Sequence, residues 1–259
     1  MVSIKKRLSQ NFLKDSESLE IFSSIGIGQE EEVLEIGPGR GALTKLLVKS
    51  AKKVHAVEID KDLISVLNKN FGKEPSFLLY NKDILKVKLA DFSSKKLRLV
   101  GNLPYSLSTD IMLWTFSQME HVKDIHYMLQ KEFAERLFSK PHSKKYGRIS
   151  ILSQYLVKIH PVKVVKPDSF FPMPSVDSLF IRLVPIEGRT IKSEVSKILQ
   201  SVTRAAFSKR RKMIGTSLKN LLNENDFESL NLNTNLRPEN LEVDEFIKIS
   251  KYLIKKRNV

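Results

Sequence analysis

The feature that most constrains this chain is the run Val33-Leu34-Glu35-Ile36-Gly37-Pro38-Gly39-Arg40-Gly41-Ala42-Leu43-Thr44. A short β-forming stretch runs straight into glycines at 37, 39 and 41, and a helical pattern follows. Glycine there permits a tight turn and lets backbone approach a ligand closely, as in the first turn of a Rossmann-type sheet. Alone, such a turn suits NAD or FAD as well as any other nucleotide-bearing ligand.

The surrounding pattern extends the same reading. Between about residues 30 and 185, β-rich runs alternate with amphipathic ones, which predicts an α/β sheet domain. Strands are expected near 32–36, 54–59, 77–80, 98–101, 125–129, 157–165 and 179–184, and helices near 41–49, 61–70, 108–118, 132–138 and 148–156. The last two strands, separated by the loop 167–174, read as an antiparallel addition that an ordinary nucleotide-binding sheet lacks. After Pro185 and Gly188 strand signals vanish, and Ile191, Val195, Ile198, Leu199, Val202 and Ala206 recur at helical spacing. The expected division is a catalytic domain over 1–188 and a small all-α domain over 189–259.

Composition narrows the partner. Forty-four Lys and Arg against 29 Asp and Glu leave a formal charge of +15, an excess that favours a polyanion through counterion release. The absence of cysteine removes disulfides, thiolate metal sites and cysteine nucleophiles, and the five scattered histidines offer no ligand pair, so no metal is expected. Apolar runs such as 149–152 are far too short to span a bilayer, so no membrane partner is expected. Lys5, Lys6 and Arg7 are followed by Ser9, Gln10 and Asn11 where a signal peptide would be apolar, which points to the cytoplasm.

Three acids stand near strand ends beside the glycine turn. Glu35 precedes it and can hold the loop or reach toward a cationic ligand; Glu58 ends the second strand, where a carboxylate can accept ribose hydroxyls; Asp83 follows the third, where an acid can accept from an adenine amine. Each alone could be a helix cap or a solvated charge, and Asp60 is read as the cap of the next helix. Together they line a cleft better suited to S-adenosylmethionine, which has a sulfonium and no phosphate, than to a dinucleotide.

Directly after the fourth strand comes Asn102-Leu103-Pro104-Tyr105. Adenine N6 is a poor nucleophile because its lone pair is delocalised. The Asn102 side-chain oxygen and the Leu103 carbonyl can accept from its two N–H bonds and favour a pyramidal nitrogen. Pro104 restrains the backbone at Leu103, and Tyr105 offers a face for a flipped-out base. Phe170, in Phe170-Phe171-Pro172-Met173-Pro174-Ser175-Val176-Asp177-Ser178, can close over the other face; a core position for both phenylalanines is the plain alternative.

These motifs, with Ser9-Gln10-Asn11-Phe12-Leu13, resemble the KsgA-type rRNA adenine N6,N6-dimethyltransferases over residues 9 to about 178. The resemblance implies a Rossmann-like S-adenosylmethionine-dependent methyltransferase sheet with an antiparallel late strand. It implies transfer of four methyl groups to two adjacent adenosines near the 3′ end of 16S rRNA in the small (30S) subunit or its precursor, with S-adenosylhomocysteine as product. It also implies a checkpoint role in subunit assembly. By similarity, Asn11, Leu13, Gly37, Gly39, Glu58, Asp83 and Asn102 contact the cofactor; Asn102, Leu103, Pro104 and Tyr105 hold the base with Phe170 opposite. Leu103 and the segment Tyr146-Gly147-Arg148-Ile149-Ser150 look more like this branch than like the related macrolide-resistance enzymes of large-subunit rRNA. Arg40 departs from the pattern and is expected to point outward.

Phe207-Ser208-Lys209-Arg210-Arg211-Lys212 resembles the family's C-terminal basic helix; Lys209, Arg210, Arg211, Lys212 and Arg148 are expected to meet RNA phosphates, and a monomer is expected. Two rivals remain in other classes. A non-catalytic assembly factor could dispense with the Asn102–Tyr105 segment, and a nicotinamide oxidoreductase leaves that segment and the charge unexplained.

Overall fold

The structure, a computed structural model, describes residues 10–209 and 211–257. It divides into two compact units. One holds the chain up to Ala134 together with Ile159–Pro185, the other Glu135–Lys158 together with the chain from Ile186. One break falls at Pro185, and the interposed segment Glu135–Lys158 groups with the C-terminal helices.

The first unit opens with a two-residue strand β1 (Phe12–Leu13) and helix α1 (Asp15–Ile25), neither expected from the sequence. There follow β2 (Glu32–Ile36), α2 (Thr44–Ser50), β3 (Lys53–Glu58), α3 (Lys61–Phe71), β4 (Phe77–Asn81), β5 (Leu97–Asn102), α4 (Ser108–Ser117) and β6 (Val122–Gln130). Helix α5 (Lys131–Leu137) leads to the second unit, where α6 (Arg148–Leu156) lies, and β7 (Val157–Val165) leads back. A short β8 (Phe170–Phe171) and β9 (Ser178–Pro185) complete the strands.

The seven long strands run in the order β4-β3-β2-β5-β6-β9-β7. Neighbours from β4 through β6 are parallel, and β9 runs antiparallel to β6, pairing Gln130 with Ser178 and Ile125 with Leu183. Central strands of a parallel sheet are covered on both faces and so read as near-continuous apolar runs. Val33, Leu34, Leu99 and Val100 are all fully buried, each contributing roughly 1.5–3 kcal/mol of burial. The order reverses beside β2, the first long strand, where β3 lies on one side and β5 on the other. Ligands of open α/β sheets bind at such a point, outside the carboxyl ends of the strands. Separately, β1 pairs antiparallel with β8, setting Phe12 opposite Phe171 and Leu13 opposite Phe170.

The second unit is helical beyond Pro185: α7 (Glu194–Ala206), α8 (Ile214–Ser217), α9 (Glu224–Ser229) and α10 (Val243–Arg257). Ser193 caps α7 by accepting from the Ser196 N–H at 3.2 Å, and Asp226 anchors α10 through Lys256 and Tyr252. The Tyr146 and Phe207 rings meet edge to face, 6.4 Å between centroids, which sets the segment before α6 beside the end of α7. No helix among the described residues is long and apolar enough to cross a membrane.

Candidate active site

One open cleft, about 1070 Å³ with its mouth included, is lined by residues from the ends of β2, β3 and β5, the turn after β4, and the N-terminal segment. Its core is the glycine turn. Gly37 donates its N–H to Val57 O at 3.0 Å, tying the turn to β3. Gly39 has φ +60°, and a Cβ there would come within 3.0 Å of the Phe12 ring, so backbone and neighbour both demand glycine.

The three acids all line this cleft. Glu35, 2% exposed, accepts from the Thr44 hydroxyl at 2.7 Å and so fastens the turn to α2. Burial, reinforced by the charge of Glu58, pushes its carboxyl up to about 7. Glu58 accepts the N–H of Gly39 at 3.3 Å on Oε2 and that of Asp60 at 2.9 Å on Oε1. Burial raises its carboxyl against those hydrogen bonds. A carboxylate has about four acceptor positions, so capacity for a ligand remains. Asp83 accepts from the Leu85 N–H at 3.0 Å, so it caps the following turn while also lining the cleft. Asp60 caps α3, as expected, and its second oxygen accepts from the Gln10 side chain at 2.8 Å.

Asn102, at the end of β5, donates from Nδ2 to the Asn11 carbonyl at 2.7 Å. That carbonyl can only accept, so the contact fixes which end of the amide is nitrogen and turns the oxygen the other way. Leu103 is held from β6, its N–H donating to Met128 O at 3.2 Å, and Pro104 sits at φ −63° and ψ 126°. Asn102, Leu103 and Pro104 line the cleft together with Asn11, Leu13, Gly37 and Gly39. Tyr105 lies outside the lining, half-buried, with its hydroxyl 2.6 Å from Ser178 Oγ at the start of β9.

Phe170 requires a correction. Expected open against a base, it is 2% exposed and packed into the core cluster with Leu13, Val100 and Met128, outside the cleft lining. Its neighbour Phe171 is the ring in solvent, 54% exposed. Alternation along a strand puts one ring in and one out, and pairing with Leu13 places Phe170 inward. Arg40 is exposed, as expected, and its guanidinium lies 4.8 Å from the Phe12 ring centroid and 5.8 Å from that of Phe171.

The cations expected at RNA lie in the second unit. Arg148 opens α6 and is exposed; Lys209 ends the short turn after α7, and its carbonyl accepts from the Lys212 N–H at 2.8 Å. Lys209, Arg211 and Lys212 are exposed, and Arg210 lies outside the described residues.

Several lining residues carry no expectation from the sequence. Ile59, 53% exposed, and Ile84 and Leu107 supply apolar walls, and Gln10 joins them. An isoleucine set between Glu58 and Asp60 in a polar turn is the signal that could have found Ile59. Among the described residues no group of three or more His, Asp or Glu is placed to hold a metal ion.

Buried carboxylates with only neutral partners, apolar walls, and the cations Arg40 and Lys82 drawn onto aromatic rings fit a cation-bearing nucleoside. This fold and cleft define an S-adenosylmethionine-dependent methyltransferase. A family model described as ribosomal RNA adenine dimethylase matches residues 1–255. The chain belongs to that family, whose reaction is N6 dimethylation of adenine in ribosomal RNA. A ribosomal RNA small subunit methyltransferase A of Coxiella burnetii is 40% identical over 255 residues, 96% of this chain and 98% of the relative. The crystal structure of a dimethyladenosine transferase from Plasmodium falciparum superposes with a TM-score of 0.82 at 26% identity, covering 95% of this chain and 98% of its own. The 23S rRNA methyltransferase ErmE shares the fold, with a TM-score of 0.74 at 23% identity over 94% of this chain and 100% of its own.

Proposed function

We propose that the chain dimethylates two adjacent adenosines near the 3′ end of small-subunit rRNA, on the 30S subunit or a precursor, as a cytoplasmic monomer. The target is supported by the small-subunit designation of the Coxiella burnetii relative at 40% identity, and by the resemblance of the Asn102-Leu103-Pro104-Tyr105 segment.

The observation that carries the chemistry is the Asn102–Asn11 hydrogen bond of 2.7 Å. It commits the amide nitrogen and leaves Oδ1 to accept from an adenine amine, with the Leu103 carbonyl as second acceptor. Two acceptors on the two N–H bonds hold the amine so that its lone pair faces the donor. When bound, S-adenosylmethionine supplies an electrophilic methyl group, and S-adenosylhomocysteine is the product. Glu58 would hold the ribose hydroxyls with its remaining acceptor positions, Asp83 the adenine amine, and Ile59 and Ile84 the adenine faces. Asn11, Leu13, Gly37 and Gly39 would surround the remainder. No strong base is required, because the methylated nitrogen is cationic and loses its proton readily to water. Tyr105, its hydroxyl fixed on Ser178, presents a stacking face for the target base; Phe170 backs the site from the core.

The helical unit, read as an RNA-binding domain, would place Lys209, Arg210, Arg211, Lys212 and Arg148 on phosphates. Reversing Arg211 and Lys212 to Glu should weaken RNA binding and flatten its salt dependence by about two phosphate equivalents, with cofactor affinity intact.

Radiolabelled methyl transfer to unmethylated 30S subunits tests the whole reading. Mass spectrometry of the 3′-end fragment should find four methyl groups on neighbouring adenosines. Label confined to large-subunit rRNA, or to any base other than adenine, defeats it.

A further inference from the structure

Behind the glycine turn lies a second cleft, which shares Phe12, Leu13, Arg40 and Ala42 with the first. Phe171 and Phe71 supply its aromatic surface, Lys14, Lys45 and Arg40 its cations, and Asn70 a neutral polar group. Asp15 offsets one cation, forming an ion pair with Lys45 at 2.6 Å. Phe71 is fixed in place because it fills the space where Gly41 has no side chain: a Cβ there would come within 2.4 Å of its ring.

Folding alone does not account for Phe171. An aromatic ring left 54% exposed on a two-residue strand contributes little to the core, and its ring meets the Arg40 guanidinium. Arg40 lies over both Phe12 and Phe171, which sets a guanidinium against two aromatic rings. Exposed aromatic rings interleaved with cations are how single-stranded nucleic acid is held: bases stack on rings or guanidinium planes while phosphates meet lysines. Met173 and Val176, in the loop after β8, are exposed as well.

We propose that this second cleft binds a nucleotide flanking the target adenosine, its base stacked on Phe171 and Arg40 and its phosphate met by Lys14 and Lys45. The proposal rests on the RNA-methylating reading above and adds a contact that fixes the strand beside the reacting base. It also accounts for Arg40, since the residue that departs from the glycine-loop pattern joins the cofactor turn to the RNA strand.

The test measures affinity for unmethylated small ribosomal subunits by filter binding, with cofactor affinity measured in parallel. Phe171→Ala should raise the RNA Kd about tenfold or more and leave the S-adenosylmethionine Kd unchanged, because Phe171 does not line the first cleft. Phe171→Tyr should restore binding, and Arg40→Gln should weaken it less than Phe171→Ala. Ultraviolet crosslinking of the wild-type complex should yield nucleotide adducts on the peptide bearing Phe171. RNA affinity unchanged in Phe171→Ala, or adducts confined to other peptides, overturns the proposal. Binding does not require turnover, so the two readings fail separately. A Phe171 effect without methylation defeats the proposed target and leaves this subsite standing; methylation without a Phe171 effect does the reverse.

Discussion

The two ends of the central sheet bury carboxylates in opposite ways. At the amino-terminal end Arg98 grips Asp124 with two bonds of 2.8 Å, reaches Glu31 at 2.7 Å, and donates to the carbonyls of Ile25 and Gly26 at the end of α1. Burial works against both acids. Even so, His126 and Arg98 hold Asp124 well below the usual carboxylate range, and the Gly28 N–H, Lys123 and Arg98 hold Glu31 down to about 2. At the carboxyl end Glu35 and Glu58 have a hydroxyl and backbone N–H groups as partners, and both carboxyls are pushed up. One end is electrostatically complete. The other sets only neutral donors on its two buried carboxyls.

Four substitutions can break or sharpen this contrast. The largest effect is expected at the completed end: Arg98→Met strips Asp124 of its bidentate partner, leaving it to His126 and Arg182 and leaving Glu31 to Lys123, and should cost about 3–5 kcal/mol of stability. Urea denaturation reads it, and cofactor affinity of the folded protein should be unchanged; a variant as stable as the parent would end the idea of a clamp.

At the open end the costs should fall on chemistry. Asn102→Ala should lower single-turnover methylation by about 10²–10³-fold, with a much smaller loss of cofactor affinity by calorimetry and stability near the parent's. Undiminished transfer would remove Asn102 from the role given to it.

Glu35→Gln separates the ends by pH. The folded carboxyl, raised from 4.5 to about 7, binds its proton more tightly than the unfolded chain does. Its contribution to stability is therefore fully present below about 4.5 and lost as pH rises to about 7. Glutamine mimics the protonated form, so the variant should gain at most about 3 kcal/mol at about pH 8 and nothing near pH 4. Equal stability at both pH values would place the carboxyl in the ordinary range. Smallest, Glu58→Gln should weaken cofactor binding about tenfold by losing a charged acceptor, with the sheet's stability little changed.

The open end is legible in the sequence, and the reason is local. Glycines at 37, 39 and 41, an acid closing one strand and another just past the next, and Asn102 after a fourth each leave a mark within a few residues. The completed end leaves none. Arg98, Glu31 and Asp124 each look like solvated charges, because the pairings that bury them join positions 67 and 26 residues apart. Phe170 and Phe171 escape a sequence reading for a different reason: a two-residue strand has no period to read, and only its register against Phe12 and Leu13 decides which ring faces inward. The helix α6 has the same amphipathic pattern whichever unit it joins, so its grouping with the C-terminal helices is equally invisible in sequence.

The contact between Asn102 and Asn11 spans 91 positions of sequence, and it ties the segment around Asn11 to the end of β5. Gln10 on Asp60 and the pairing of Phe12 with Phe171 secure that same front segment. Under the role proposed for Asn102, loosening this segment is expected to slow methyl transfer without any direct contact with either substrate.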